Sequence, residues 1–175
     1  MSQSKFAIGL DFGTESGRAV VVDVSTGQTV GSAVHRYGDG VIDEWLPGGA
    51  RLGPDWALQN PADYLATLKE AVPAALRAAG VNAEDVIGIG VDFTACTVLP
   101  VRADGTPLCF EDEWRANPHA WVKLWKHHAA QPEADLINAV AAARGERWLA
   151  RYGGRYSAEW FFSKALQILD EAPEI

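Results

Sequence analysis

The stretch IGLDFGTESGRAVVVDV, residues 8–24, decides how the chain opens. A short apolar run ends in Asp11, breaks into Gly-Thr-Glu-Ser-Gly, and resumes as the β-branched run Val20–Val24. Stiff β-branched side chains suit a pleated surface, so both runs read as strands, Phe6 to Asp11 and Arg18 to Val24. The connection holds more residues than a two-residue hairpin needs. Its glycines, Gly13 and Gly17, permit positive φ, and successive N–H groups in such a loop converge on an anion. Thr14 and Ser16 add hydroxyls. Asp11 stands where a carboxylate could organise Mg²⁺ beside substrate phosphates, and Arg18 brings positive charge. The same residues also fit an enlarged hairpin turn with a capping aspartate. The Gly-Lys-Ser/Thr ending of a Walker loop is absent, and a strand rather than a helix follows.

Working outward, Gln28 to Arg36 reads as a third strand after a Ser25-Thr26-Gly27 turn, which makes an antiparallel meander. Residues 38–58 are rich in Gly and Pro and read as a loop carrying Trp45 and Trp56. A helix follows, with Asn60 as N-cap, Pro61 at its first position and Gly80 at its end. Leu65, Leu68, Val72 and Leu76 suggest its buried face, and Pro73 should kink or split it. The run VIGIGVDF, 86–93, reads as a strand buried on both faces. TVLPVRADGTPL reads as a further strand turning at 103–105. Residues 118–145 read as mainly helical with a break at Gln131-Pro132, and Ser157 as the cap of a last helix. This order is an α/β layer arrangement with a mixed sheet.

The 175 residues carry a net charge of −8, with 48% hydrophobic and 22% charged residues. That acidity disfavours a nucleic-acid or anionic-membrane partner, both of which need a basic face. No segment is long enough to span a bilayer, and MSQSKF has no leader pattern, so a cytoplasmic location is expected. Cys96 and Cys109 read as small core residues rather than a disulfide or metal pair. His119, His127 and His128 read as solvated helix surface, because adjacent helical residues point about 100° apart and cannot readily share one ion.

IGLDFGTESGRAVVVD resembles the first phosphate loop of the FGGY carbohydrate kinases, within the actin and Hsp70 ATPase superfamily. IGIGVDFTACTVLPVRADGTPL, WVKLWKHHAA and RYGGRYSAEWFFSKALQIL resemble later segments of the same family, so the match runs from about residue 6 to 172. GVDFTACT with DEWRANPHAWVKLWKHHA is most similar to the members that act on ribulose. The resemblance implies an actin-like (ribonuclease H-like) fold, with ATP and Mg²⁺ as cofactors and a small sugar as substrate. It implies γ-phosphoryl transfer to a sugar hydroxyl in pentose (arabinose) catabolism. Asp11, Gly13, Thr14, Ser16 and Arg18 match the phosphate and Mg²⁺ positions. Thr94 and Ala95 match the place where relatives carry an Arg-Glu pair that grips the substrate. Small residues there leave room for a longer pentulose such as ribulose. Trp125 matches an aromatic that lines the sugar pocket, though it also fits a core tryptophan on an amphipathic helix. Glu159 falls near another substrate-contacting position, though it fits better as an acidic residue in a helix's first turn.

The family's catalytic base, adenine pocket and second phosphate loop lie in later segments. Residues 1–175 are therefore expected to be the N-terminal part of the first kinase domain, inactive alone, with a homodimer possible for the parent. Two other readings stand beside this one. The first is another FGGY kinase, acting on xylulose, gluconate, rhamnulose or glycerol. The second is a non-catalytic actin-like binding module.

Overall fold

The computed structural model describes residues 4–175, and the N-terminal reading of Met1-Ser2-Gln3 lies outside the described residues. Six strands form: β1 (Phe6–Phe12), β2 (Ser16–Asp23), β3 (Thr29–Arg36), β4 (Leu58–Gln59), β5 (Val86–Phe93) and β6 (Val122–Lys123). Three α-helices accompany them: α1 (Pro61–Ala79), α2 (Gln131–Ala143) and α3 (Phe161–Glu171). The chain divides into two compact units. The first is the chain through Gly40 with Asn60–Thr94, and the second is Val41–Gln59 with Ala95–Ile175.

The first unit is a four-stranded sheet in the order β3-β2-β1-β5. The first three strands are the antiparallel meander, and β5 returns parallel to β1 after α1. Helix α1 starts as the sequence suggests: the Asn60 side chain accepts the Ala62 N–H at 2.9 Å, and Gly80 closes the helix at φ 63°.

The buried face of α1 is only in part the expected one: Val72 and Leu76 pack half-buried against the core, but Leu65 and Leu68 do not. Asp63, Thr67, Ala71 and Ala75 are buried, whereas Leu65 and Leu68 are 46% and 41% exposed. The reason is close approach. A Cβ on Gly31 would lie 2.6 Å from the Ala75 carbonyl oxygen and 2.7 Å from the Ala79 Cβ. Only small residues let helix and strands meet that tightly, and Ile8, Leu10, Ala19 and Val21 complete the core beneath. The helix also runs unbroken through Pro73. The carbonyl that Pro73 leaves without an N–H belongs to Lys69, which is exposed, so water can take its place.

Strand β5 is likewise not buried on both faces. It pairs with β1 alone, and Ile87, Ile89, Val91 and Phe93 are each about three-fifths exposed. An edge strand shows no more of its packing than its one neighbour supplies, and its apolar run is indistinguishable by composition from that of an inner strand.

The second unit is built mostly from loops around Leu46, Leu58, Leu108, Ala120 and Trp121, with α2 and α3 beside them. Residues 118–130 are not helical. They form a short 3₁₀ turn at Pro118–Ala120, then β6, then two turns. Pro132 opens α2 instead of breaking a longer helix, in line with proline's fitness for the first turn. The segment after Thr97 makes a turn closed by Arg102 N–H to the Thr106 carbonyl, but only isolated bridges and no regular strand. Ser157 does not cap α3. Its hydroxyl accepts the Glu159 N–H, and the helix begins later, at Phe161. A 3₁₀ turn at Arg147–Tyr152, without a sequence signal, precedes it. Cys109 is a buried core residue whose thiol is pushed up to about 11 by burial, and both cysteines are free. Among the described residues no helix is long and apolar enough to cross a membrane.

Candidate functional site

Five of the proposed residues stand on one hairpin in the first unit. β1 ends at Phe12 and β2 begins at Ser16, so the loop is Gly13-Thr14-Glu15. It is closed by Gly13 N–H to the Ser16 carbonyl at 3.0 Å and held from outside by Tyr37 N–H to the Glu15 carbonyl at 3.0 Å. Strand register puts Asp11 opposite Arg18, and Arg18 Nη1 donates to Asp11 Oδ2 at 2.6 Å. The pair is half-exposed, so its worth lies in orienting the carboxylate rather than in stability. On the other side, register places Asp92 beside Asp11, and its Oδ1 accepts the Phe93 N–H. Thr94 follows β5 directly and donates its N–H to the Phe12 carbonyl at the loop's edge.

The glycines serve this loop through their size. Neither Gly13 nor Gly17 has positive φ. A Cβ on Gly13 would crowd the Ser16 carbonyl at 3.1 Å and Arg18 Nη1 at 3.7 Å. One on Gly17 would overlap the Thr67 Cγ2 and Oγ1 at 2.3 Å. The Gly13 N–H, expected to point at an anion, is spent within the loop. What remains is a narrow turn bearing two carboxylates, Asp11 and Glu15, two hydroxyl side chains and a guanidinium. That donor set fits a metal-bound polyphosphate: a hard carboxylate for the cation, and O–H and N–H donors for the anion.

Sequence reasoning missed Tyr37 and Tyr64 beneath the loop. They pack edge to face at 5.9 Å, and Phe12 packs on Tyr64 at 5.6 Å. Burial, then the Asp63 and Asp11 carboxylates, pushes the Tyr37 phenol up to about 12. Two tyrosines 27 positions apart carry no motif that would have paired them.

The other candidates lie in the second unit. Ala95 is exposed, and the next residue, Cys96, takes a left-handed φ of 60°, uncommon outside glycine. Trp125 sits in the turn Leu124–His127, closed by His127 N–H to the Leu124 carbonyl at 3.1 Å, and it is 41% exposed. It is thus neither on a helix nor in the core. Glu159 Oε1 meets His128 Nε2 at 2.7 Å, three residues from Trp125 in sequence. The structure therefore brings Glu159 to the segment that carries Trp125.

The histidines are not a solvated helical patch. His127 is fully buried and His119 nearly so, and only His128 is exposed. His127 Nδ1 accepts the Ala57 N–H, which places its proton on Nε2, facing Gln167 Oε1 at 2.9 Å. Burial, with Lys123 adding to it, pushes His127 down to about 3. His119 is pushed down to about 4 by burial and then Lys123, even with Glu171 at 3.2 Å. Trp56 packs edge-on to both rings, and the Lys123 ammonium stands 4.1 Å from the Trp56 ring centroid. A buried network of this kind draws on residues 56 to 171, a span no local pattern can reveal.

No protein-family model matches the chain. The ribulokinase of Geobacillus thermodenitrificans is 59% identical over 172 residues, covering 98% of this chain and 30% of the relative. The ribulokinase of Mycolicibacterium smegmatis is 59% identical over 173 residues, covering 98% and 31%. Among solved structures, a xylulose kinase from Rhodospirillum rubrum superposes with a TM-score of 0.70 at 19% identity, over 97% of this chain and 30% of that one. The fold is therefore the actin-like ATPase fold of these kinases, as the family resemblance implied. The chain spans about 30% of the length of the curated relatives it matches. Over the 98% of its residues that these matches cover, the chain is similar to part of the ribulokinases, and its fold is that of FGGY sugar kinases.

Proposed function

We propose that the chain is the N-terminal part of the first domain of a cytoplasmic, ATP-dependent kinase that phosphorylates ribulose to ribulose 5-phosphate in arabinose catabolism. The observation that carries this reading is the 59% identity to ribulokinases over nearly the whole chain, with a hairpin loop whose donors suit a metal-bound polyphosphate. In this reading Asp11, oriented by Arg18, would hold Mg²⁺. Thr14 and Ser16 donate to phosphate oxygens, and Gly13 keeps the turn narrow enough for the approach. When bound, Mg²⁺ supplies charge neutralisation on the phosphoryl oxygens. Thr94, Ala95, Trp125 and Glu159 are assigned to the sugar: Trp125 offers an apolar face to the carbon chain, and Glu159 accepts from a hydroxyl. The general base is assigned outside these 175 residues, so the chain alone is proposed to turn nothing over. Catalysis of this step is mostly alignment of the reacting groups.

The test is an ADP-release assay on the complete kinase with ribulose, xylulose and glycerol. The expected result is a kcat/KM for ribulose at least ~10-fold above the others, about the discrimination that a single well-shaped pocket contact provides. Equal kcat/KM for the three would overturn the substrate assignment.

A further inference from the structure

Two lysines of the second unit, Lys123 and Lys164, are fully buried, and neither forms an ion pair among the described residues. A buried ammonium without a carboxylate is costly, and a methionine would fill the same volume without that cost. What each lysine holds is therefore informative. Lys164, on α3, donates its Nζ to the Leu124 carbonyl at 3.0 Å. That carbonyl already accepts the His127 N–H, so Lys164 is not needed to satisfy it. One turn along the same helix, Gln167 Oε1 meets Lys123 Nζ at 2.9 Å and His127 Nε2 at 2.9 Å, and Gln167 Nε2 donates to the Ala129 carbonyl at 3.2 Å. Both ends of the 124–127 turn are tied to one face of α3. Between the ties, Trp125 is displayed.

The same ammonium lies within electrostatic reach of Cys96 and Glu159. Cys96 follows Ala95 with its left-handed backbone, and Glu159 holds His128. Of the segments of this unit that carry candidate sugar contacts, Lys164 bonds directly to the one bearing Trp125. Burial pushes Lys164 down to about 8, which leaves a largely protonated donor at neutral pH.

We infer that Lys164 is a positioning residue: by bonding the Leu124 carbonyl at the base of the turn, it fixes the orientation in which Trp125 meets the sugar. This rests on the assignment of Trp125 to the sugar site.

The experiment uses the complete kinase labelled with 5-fluorotryptophan, the Trp125 resonance being assigned by its loss in Trp125→Phe. In Lys164→Met the Trp125 resonance should shift or broaden while those of Trp45 and Trp148 stay in place. The KM for the sugar should rise roughly tenfold, the scale expected of a misplaced positioning contact, with kcat and the KM for ATP little changed. Lys164→Gln, which keeps a donor on a shorter stem, should recover part of the sugar KM. An unchanged Trp125 resonance in folded Lys164→Met overturns the positioning role. A shifted resonance with an unchanged sugar KM overturns the link to the sugar, and with it the placing of Trp125 in the sugar site. If both variants lose a cooperative unfolding transition, Lys164 serves folding alone and the inference is wrong.

Discussion

Gly17 offers a direct test of why the hairpin between β1 and β2 is glycine-rich. In Gly17→Ala the new Cβ would sit 2.3 Å from the Thr67 Cγ2 and Oγ1 and 2.8 Å from its Cβ. Thr67 is fully buried, and its hydroxyl donates to the Asp63 carbonyl at 3.0 Å, so it cannot swing aside without losing that bond. Helix α1 must lift from the sheet, and overpacking of this kind costs ~1–3 kcal/mol. For a chain of this size, that corresponds to a fall in Tm of roughly 3–10 °C. Thr67→Ala removes the two nearest atoms, so the double variant should recover part of the loss, with a coupling energy on the order of 1 kcal/mol in a double-mutant cycle read by urea unfolding. If Gly17 were instead needed for positive φ, Thr67→Ala would rescue nothing. A Gly17→Ala chain as stable as the parent, or a double variant in which the two losses simply add, would refute the packing argument.

Two further outcomes are expected. Asp11→Ala in the complete kinase should lower kcat by ~100-fold or more, since the loss of a metal-organising carboxylate removes several kcal/mol of charge stabilisation, while the KM for sugar changes little; steady-state kinetics would show it, and near-parental turnover would reduce Asp11 to a hairpin cap. His127 and His119 are held neutral in the folded chain, so between about pH 4 and pH 6.5 the unfolded chain binds protons that the folded one does not. Stability should therefore be intact above the ordinary histidine pKa and fall as pH drops through that window. The loss is on the order of 3 kcal/mol for His127 by pH 4, and urea midpoints that stay flat over this range, or keep their slope in His127→Gln, would count against it.

Much of the first unit was legible because its signals are local. The meander follows from two β-branched runs and short turns, and α1 from an Asn-Pro start and a glycine stop. The misreadings share a cause. Leu65 and Leu68 looked like core because leucine usually is, yet the strands opposite α1 carry Gly17 and Gly31, and such surfaces are met by threonine and alanine. Whether β5 has a neighbour on its far side is a matter of sheet order, which an apolar run does not encode. In the second unit the polar groups come from far apart in sequence, so His127 looked like a solvated residue until Ala57, Lys123 and Gln167 closed around it.

The candidate site shows the same division between identity and reason. Every chemical group assigned to the phosphates was visible in DFGTESGR, because a carboxylate, two hydroxyls and a guanidinium within eight residues are a local fact. The reason for the glycines was not, because positive φ and lack of space demand the same residue. The observed negative φ values and the near contacts at Gly13 and Gly17 separate the two demands. The consequence reaches the chemistry. A loop narrowed by packing against α1, with Asp11 held by Arg18, keeps its backbone and carboxylate in place before any ligand arrives, whereas a loop of free left-handed glycines would have to be ordered by the ligand at an entropic cost. The clamp of Gly13 on Ser16, of Tyr37 on Glu15 and of Thr67 under Gly17 therefore makes the hairpin a preformed surface. On the proposed phosphate assignment, Thr67→Ala in the complete kinase should weaken ATP binding, and an unchanged Kd in an ATP titration would count against a preformed loop.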